Sequence, residues 1–204
     1  MAVFPNQPED ALKAAVEMQQ TLIKYNDYRA RDGRPPIRMG IGLHSGSLIM
    51  GIIGDKDRMD ATTIADTVNT ASRIESLTKY YGAQILLSED TMEKLQETEN
   101  GVYHLRYLGK VKVKGKKEAL GIYECFEGDL PKILDSKRKT VVHFEEGLAH
   151  FYAKEFPEAI AVFNTIIKES PKDQVANFFL NKSSRFIHEG VPEDWTGVEV
   201  MTFK

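Results

Sequence analysis

Five glycines crowd one short stretch of the chain, at positions 40, 42, 46, 51 and 54. Glycine inside a strand usually marks a bulge or the close approach of another backbone. The residues around these glycines predict two strands, Ile37–Leu43 and Ser47–Ile53, and the link between them, His44-Ser45-Gly46, suits an antiparallel hairpin. A histidine in this setting is more often structural than a metal ligand or a base.

The remaining patterns up to residue 126 alternate between helix and strand. Apolar residues at helical spacing predict helices over 8–32 and Thr67–Tyr80, and Ser88 is a candidate N-cap for a third helix that ends near Glu97. Residues 54–63 are polar and are interpreted as a loop. Three further strands are expected: Gln84–Leu87, Tyr103–Val113 and Ala119–Phe126. This order predicts an α+β fold with a largely antiparallel sheet and flanking helices.

The character of the chain changes after residue 128. The charged segment 129–139, which contains Pro131, is interpreted as a linker. It separates a first domain, 1–128, from a helical segment and tail, 140–204. Three helical patterns follow the linker: Thr140–Ala153, Pro157–Lys168 and Asp173–His188.

Composition narrows the class of protein. Apolar residues make up 42% and charged residues 28% of the chain, which is typical of a globular protein. The net charge of −3 provides no strong field for nucleic acid. Cys125 is the only cysteine, and no apolar run reaches the length of a membrane span. We therefore expect a cytoplasmic chain, or the cytosolic part of a larger or membrane-attached protein.

Asn69 and Arg73 are four residues apart, so both side chains leave the same face of one predicted helix. An amide can hold a sugar oxygen, and a guanidinium can offset the charge on a phosphate. A basic strand and turn carries lysines at positions 110, 112, 114, 116 and 117, which would attract phosphates. The residues alone leave two interpretations open, a nucleotide site and an ordinary solvated helix face.

The run Gly42-Leu43-His44-Ser45-Gly46, with the helix motif Val68-Asn69-Thr70-Ala71-Ser72-Arg73-Ile74-Glu75, resembles class III adenylyl and guanylyl cyclases. Gly51, Gly54, Arg58 and Thr62 agree with the same family pattern, and Ala65 departs from it where glycine is frequent. The resemblance covers about residues 1–127. It implies a ferredoxin-like nucleotide cyclase fold that makes a 3′,5′-cyclic nucleotide and pyrophosphate in signal transduction.

The resemblance also implies a role for each matching residue. Asn69 would orient the ribose, and Arg73 would stabilise the transition state. Lys114 would contact the terminal phosphates of the substrate. Thr62 occupies the position that helps to select the purine, and threonine there is similar to bacterial adenylyl cyclases, so ATP is favoured over GTP.

The family binds two Mg²⁺ or Mn²⁺ ions through two aspartates, in an F-x-D-[IV]-x-x-F-T strand and a G-D-x-x-M-A-x-F hairpin. Neither motif occurs in this sequence, and Met1-Ala2-Val3-Phe4 looks like the end of the second one. The chain is therefore expected to begin inside the domain, with the first strands and the metal ligands missing. It could be a fragment, a proteolytic product or the result of a misplaced start. We expect it to be inactive alone.

Family sites form between two subunits, so the resemblance implies a homodimer or a full-length cyclase partner. Residues 140–188 are similar to a tetratricopeptide-type helical hairpin, with Gly147, Ala159, Phe163 and Pro171 in matching positions. Any amphipathic helical hairpin remains an alternative interpretation. The apolar face of this segment must pack against the cyclase part, a second chain or another protein. The rival interpretation of the whole chain is a non-catalytic regulatory module with a degenerate cyclase fold.

Overall fold

A computed structural model describes residues 1–55, 58–64, 66–96, 103–112 and 118–200. Within these ranges the helices are α1 Pro8–Arg31, α2 Asp66–Tyr81, α3 Glu89–Gln96, α4 Pro131–Tyr152, α5 Phe156–Glu169 and α6 Gln174–Glu189. The strands are β1 Ile41–Leu43, β2 Ile49–Asp55, β3 Arg58–Ile64, β4 Ile85–Ser88, β5 Leu105–Lys112, β6 Leu120–Cys125 and β7 Glu199–Val200.

Five strands form one sheet in the order β1-β4-β6-β5-β7. The three central strands pair antiparallel, whereas the two edge strands, β1 and β7, pair parallel with their neighbours. Strands β2 and β3 form a separate antiparallel pair. The predicted α+β class with flanking helices is confirmed, and the pairing within the main sheet is mixed.

The predicted hairpin around His44 is wrong. Strand β1 pairs with β4, and β2 pairs with β3, in which Gly51 faces Thr62. Residues 54–63, interpreted as a loop, therefore include most of β3. The charges between positions 55 and 60 concealed the strand signal of the β-branched residues at its end, Thr62, Thr63 and Ile64.

The sheet is covered on both faces, and β4 shows how the two faces are divided. Its residues Ile85 and Leu87 pack with α1, whereas Leu86 between them points to the opposite side. On that opposite side one continuous core joins the sheet to α2 and to all three C-terminal helices. Its members include Tyr81, Leu108, Ile122, Phe144, Phe151, Phe163 and Phe179. Of the three predicted packing partners for the helical segment, the structure shows the cyclase part of the same chain.

The segment 129–139 is helical from Pro131 onward, because it forms the first turns of α4. Proline is favoured at the first position of a helix, where its missing N–H has no intrahelical partner. Further along, Gly147 lies against the ring of Phe163, and a Cβ at Gly147 would come within 3.0 Å of it. This close crossing joins α4 to α5. The tetratricopeptide resemblance and the domain boundaries stay predictions.

Candidate nucleotide site

Helix α2 lies directly on β1 because β1 and the residues beside it contain glycine. A Cβ at Gly42 would lie 2.2 Å from the backbone N of Glu75 and 2.5 Å from the carbonyl O of Ala71. These are backbone atoms of α2, so no side-chain movement could relieve the overlap. The close backbone approach predicted from the glycine-rich stretch is therefore present, and its partner is α2.

Two further glycines continue this contact along the helix. A Cβ at Gly40 would lie 2.0 Å from Thr78 Oγ1, and one at Gly46 would lie 2.7 Å from Thr67 Oγ1. The Thr67 hydroxyl also donates a hydrogen bond of 2.6 Å to the carbonyl of Ser47. The glycines at 40, 42 and 46 thus hold successive turns of α2 against one edge of the sheet.

The contact between α2 and β1 determines which side of α2 remains open. The residues that it buries are Thr70, Ile74, Leu77, Thr78 and Tyr81. Asn69 is exposed and Arg73 is half-buried, and the two lie one turn apart on the same face. Within the described part of the chain, neither side chain makes a hydrogen bond or an ion pair. The structure therefore brings together an amide and a guanidinium that have no partner among the described residues.

The other two predicted substrate-binding residues are only partly placed. Thr62 lies on β3, which ends at Ile64 shortly before α2 begins, but its side chain lies outside what the structure describes. Lys114 lies outside the described residues altogether. Strand β5 ends at Lys112, two residues before it. The roles of Asn69, Arg73, Thr62 and Lys114 stay predictions.

His44 has the structural role that its sequence context favours. Its Nδ1 lies 2.8 Å from the hydroxyl of Ser88 and 3.7 Å from a carboxylate oxygen of Asp90. Ser88 Oγ in turn accepts the backbone N–H of Thr91 at 3.2 Å, as an N-cap does. The histidine therefore connects the end of β1 to the start of α3.

The described ranges contain no three His, Cys, Asp or Glu residues that are grouped as a metal ion requires. The residues that the structure describes therefore do not fit the two-metal centre that the resemblance implies.

A buried charge network lies between the sheet and α4, on the same side of the sheet as α2, and sequence reasoning missed it. Arg106 on β5 donates to Glu124 at 2.6 Å and, through both terminal nitrogens, to Asp173 at 2.7 and 2.8 Å. Lys137 on α4 donates to Glu124 at 2.8 Å and lies 2.6 Å from Asp129. We call these five residues the junction network, because they join the sheet to α4 and to the N-terminus of α6.

Burial acts on the pKa of Arg106, Asp173 and Asp129, and its balance with the neighbouring charges differs among the three. Burial would lower the pKa of Arg106, but Glu124 and Asp173 raise it above its usual value. Burial would raise the pKa of Asp173, yet the Arg106 charge and hydrogen bonds hold it below normal. For Asp129 burial prevails over Lys137, so its pKa is raised. A partial signal was available: Arg106 and Glu124 each stand between less polar neighbours in the sequence, and the two are paired across β5 and β6.

This α+β domain thus carries an amide and a guanidinium one turn apart on a helix that is docked on glycines. Residues 1–124 match the family of adenylate and guanylate cyclase catalytic domains, and the chain belongs to that family.

An adenylate cyclase of Anabaena cylindrica is 48% identical over 130 residues, which cover 61% of this chain and 26% of that protein. The terminal-differentiation specific adenylate cyclase of Dictyostelium discoideum is 32% identical over 189 residues, covering 89% of this chain and 9% of that protein. A human protein, retinal guanylyl cyclase 2, is 40% identical over 81 residues, covering 40% of this chain and 7% of that protein. The chain thus spans about a quarter or less of these relatives.

The Dictyostelium match extends beyond the catalytic domain. Since it covers 89% of the chain, it cannot be contained within residues 1–124 and must reach into the C-terminal helices. Among solved structures, a bacterial light-regulated adenylyl cyclase has a TM-score of 0.48 at 25% identity, covering 60% of this chain and 34% of that chain. In the part of the chain that the structure describes, every helix is too short or too polar to cross a membrane.

Proposed function

We propose that this chain supplies the Asn69–Arg73 half of a nucleotidyl cyclase site that is completed by a second catalytic domain. The observation that carries the proposal is the open face of α2, where an exposed amide and a half-buried guanidinium lie one turn apart. Neither has a partner among the described residues, which suits side chains that bind a ligand at a subunit boundary.

The reaction is an in-line displacement at the α-phosphate. The ribose 3′-oxygen forms a bond to the α-phosphorus, the bond to the bridging oxygen of the β-phosphate breaks, and pyrophosphate leaves. The proton of the 3′-hydroxyl passes to solvent. Asn69 holds the ribose in line by hydrogen bonding, and Arg73 offsets the charge that develops on the transferred phosphoryl group.

ATP is the proposed substrate. Thr62 supports this choice through the family resemblance, and so do the Anabaena and Dictyostelium relatives, which are both named adenylate cyclases. The similarity to a retinal guanylyl cyclase keeps GTP as the competing substrate.

The 204-residue chain is proposed to be inactive alone, because it contains neither aspartate motif of the family. An intact partner domain would contribute the carboxylates for two Mg²⁺ or Mn²⁺ ions. A mixed dimer then holds one complete site, whereas a homodimer of this chain holds two incomplete ones.

Complementation tests the proposal. The chain is mixed with an intact family domain whose transition-state arginine has been replaced by alanine, and cyclic AMP is measured with Mn²⁺ and ATP. We expect no product from either protein alone and product from the mixture. GTP in place of ATP should give less product.

Two variants of α2 serve as a matched pair. Arg73→Ala should lower the rate of the mixture by about 10³-fold or more, the scale of a transition-state arginine in phosphoryl transfer. Lys79→Ala, an exposed cation on the same helix, should leave the rate unchanged. Turnover by the chain alone would refute its proposed inactivity. A mixture without product would favour the non-catalytic regulatory module.

A further inference from the structure

The tail after α6 returns to the catalytic sheet. Helix α6 is capped by Gly190, which has a positive φ of 75°. The chain then crosses α4. There the Trp195 ring stacks on Tyr152, with 6.4 Å between the ring centroids. Gly197 passes so close to Tyr152 that a Cβ there would lie 2.5 Å from the ring. The next residues form β7, which extends the main sheet beside β5.

Glu199 on β7 is held by two side chains from different elements. The Tyr80 hydroxyl donates a hydrogen bond of 2.9 Å to one carboxylate oxygen, and Lys182 on α6 donates to the other. The side chain of Glu199 is only 16% exposed and that of Lys182 only 6%. Burial, followed by the negative charge of Glu199, raises the pKa of Tyr80, which therefore remains a hydrogen-bond donor.

These contacts connect the two elements expected to hold the nucleotide. Tyr80 lies in the last turn of α2, two turns or about 10 Å along the axis from Arg73. Glu199 also pairs through its backbone with Val111 near the end of β5. In the sequence, Lys114 follows shortly after that strand. Glu199 therefore links the helix of Asn69 and Arg73, through its carboxylate, to β5, through its backbone.

Anchoring the tail does not require this arrangement. Trp195 already packs against Phe151 and Phe186, each 5.6 Å away between ring centroids, so apolar contacts hold the tail in place. A largely buried ion pair is weak support for stability, because apolar residues of similar volume often stabilise as well. The Glu199 carboxylate accepts hydrogen bonds from two side chains, and these directional bonds define the position of α2 relative to β5.

We infer that Glu199 is a positioning residue for the candidate nucleotide site, acting through Tyr80 on α2 and through β7 on the end of β5. This inference rests on the proposed function. The C-terminal segment is then part of the machinery that sets substrate geometry. In an enzyme site, a displacement of about 1 Å can cost about 10²-fold in rate.

The test uses the complementation mixture with three variants of this chain. Glu199→Gln keeps the shape but loses the charge, and Tyr80→Phe removes one hydroxyl while keeping the ring that packs on Phe178 at 4.9 Å. Glu193→Gln, an exposed carboxyl in the same tail, is the control. We expect Glu199→Gln to raise the KM for ATP about 5- to 10-fold and Tyr80→Phe about 2- to 3-fold, with no change for the control.

The KM for ATP distinguishes a variant that has lost positioning from one that has lost folded protein. A chain that is merely less stable forms fewer active dimers, which lowers the apparent kcat and leaves KM unchanged. Equal KM values for Glu199→Gln, Tyr80→Phe and the control would overturn the inference while leaving the proposed function intact. If Glu199→Gln fails to fold, Tyr80→Phe decides alone. A wild-type mixture without product would refute the proposed function itself, and the inference with it.

Discussion

The polar and charged side chains on the open face of α2 and those in the junction network have opposite environments. On α2, Asn69 and Arg73 face outward and have no partner among the described residues, although glycines hold the helix itself tightly. At the junction, Arg106 has no exposed side-chain surface and is bonded to carboxylates on β6 and at the start of α6. One region leaves its polar side chains without partners among the described residues, whereas the other pairs its charges within the fold. Substitutions in the two regions should therefore affect different measurements.

The largest effect on stability is expected at Arg106. Arg106→Met would leave Glu124 and Asp173 buried without their main partner, and breaking such a pair costs about 3–5 kcal/mol. The guanidinium also lies 4.0 Å from the ring centroid of Phe144, a cation–π contact that methionine cannot replace. Urea unfolding measures the loss.

Arg34→Met is the matched control for this substitution. Arg34 pairs with Asp32 at 3.8 Å, and both side chains are 61% exposed, so the loss should not exceed about 0.5 kcal/mol. If Arg106→Met cost no more than Arg34→Met, the junction network would not lock the helices to the sheet.

A smaller effect on stability is expected where α2 meets β1. In Gly42→Ala the new methyl group overlaps backbone atoms of Glu75 and Ala71, and overpacking of this kind costs about 1–3 kcal/mol. Because α2 must shift, activity in the complementation mixture should fall more than the stability loss explains. Gly51→Ala is the control, since a Cβ there meets no atom of the described residues within 4 Å. Full activity of Gly42→Ala would show that the docking does not position Asn69 and Arg73.

The same contrast explains what could be predicted from the sequence. Helix α2 and the shared face of Asn69 and Arg73 depend on local spacing, and the α+β class follows from the order of elements. The pairing of β1 with β4 depends on residues far apart in the chain, so a short link suggested the wrong hairpin. The junction network joins residues that are even further apart in the chain, since Arg106 and Asp173 are separated by 67 residues.

The charged segment 129–139 shows that local composition can be misinterpreted when charged residues pair with partners elsewhere in the chain. A run of charges with a proline is typical of a solvated linker, yet Lys137 from this run is buried between Glu124 and Asp129. Charge is compatible with a core only when partners surround it. Glu124 lies on β6 and Asp129 precedes α4, so neither partner belongs to the helix that carries Lys137. No local pattern reveals them.

The smallest expected effect concerns Asp129, and it is a change in the free energy of unfolding with pH. Burial raises its pKa above the ordinary value of 3.8, and its contact with Lys137 is an ion pair without hydrogen-bond alignment. A carboxyl with a raised folded-state pKa contributes stability that is fully present below 3.8 and is lost as the pH rises through the raised value. The stability of the wild type relative to Asp129→Asn should therefore decline as the pH increases from about 4.

Three charged groups face Asp129, and they determine the pH window of this test. They are Lys137, Glu124 and Arg106. Asp173, whose pKa is lowered, loses its contribution only below 3.8, so measurements above pH 4 isolate Asp129. Urea midpoints of the wild type and Asp129→Asn are compared between pH 4 and 7, with the exposed Asp32→Asn as control. A constant difference across this range would mean that Asp129 is ionised throughout and is fully stabilised by its lysine.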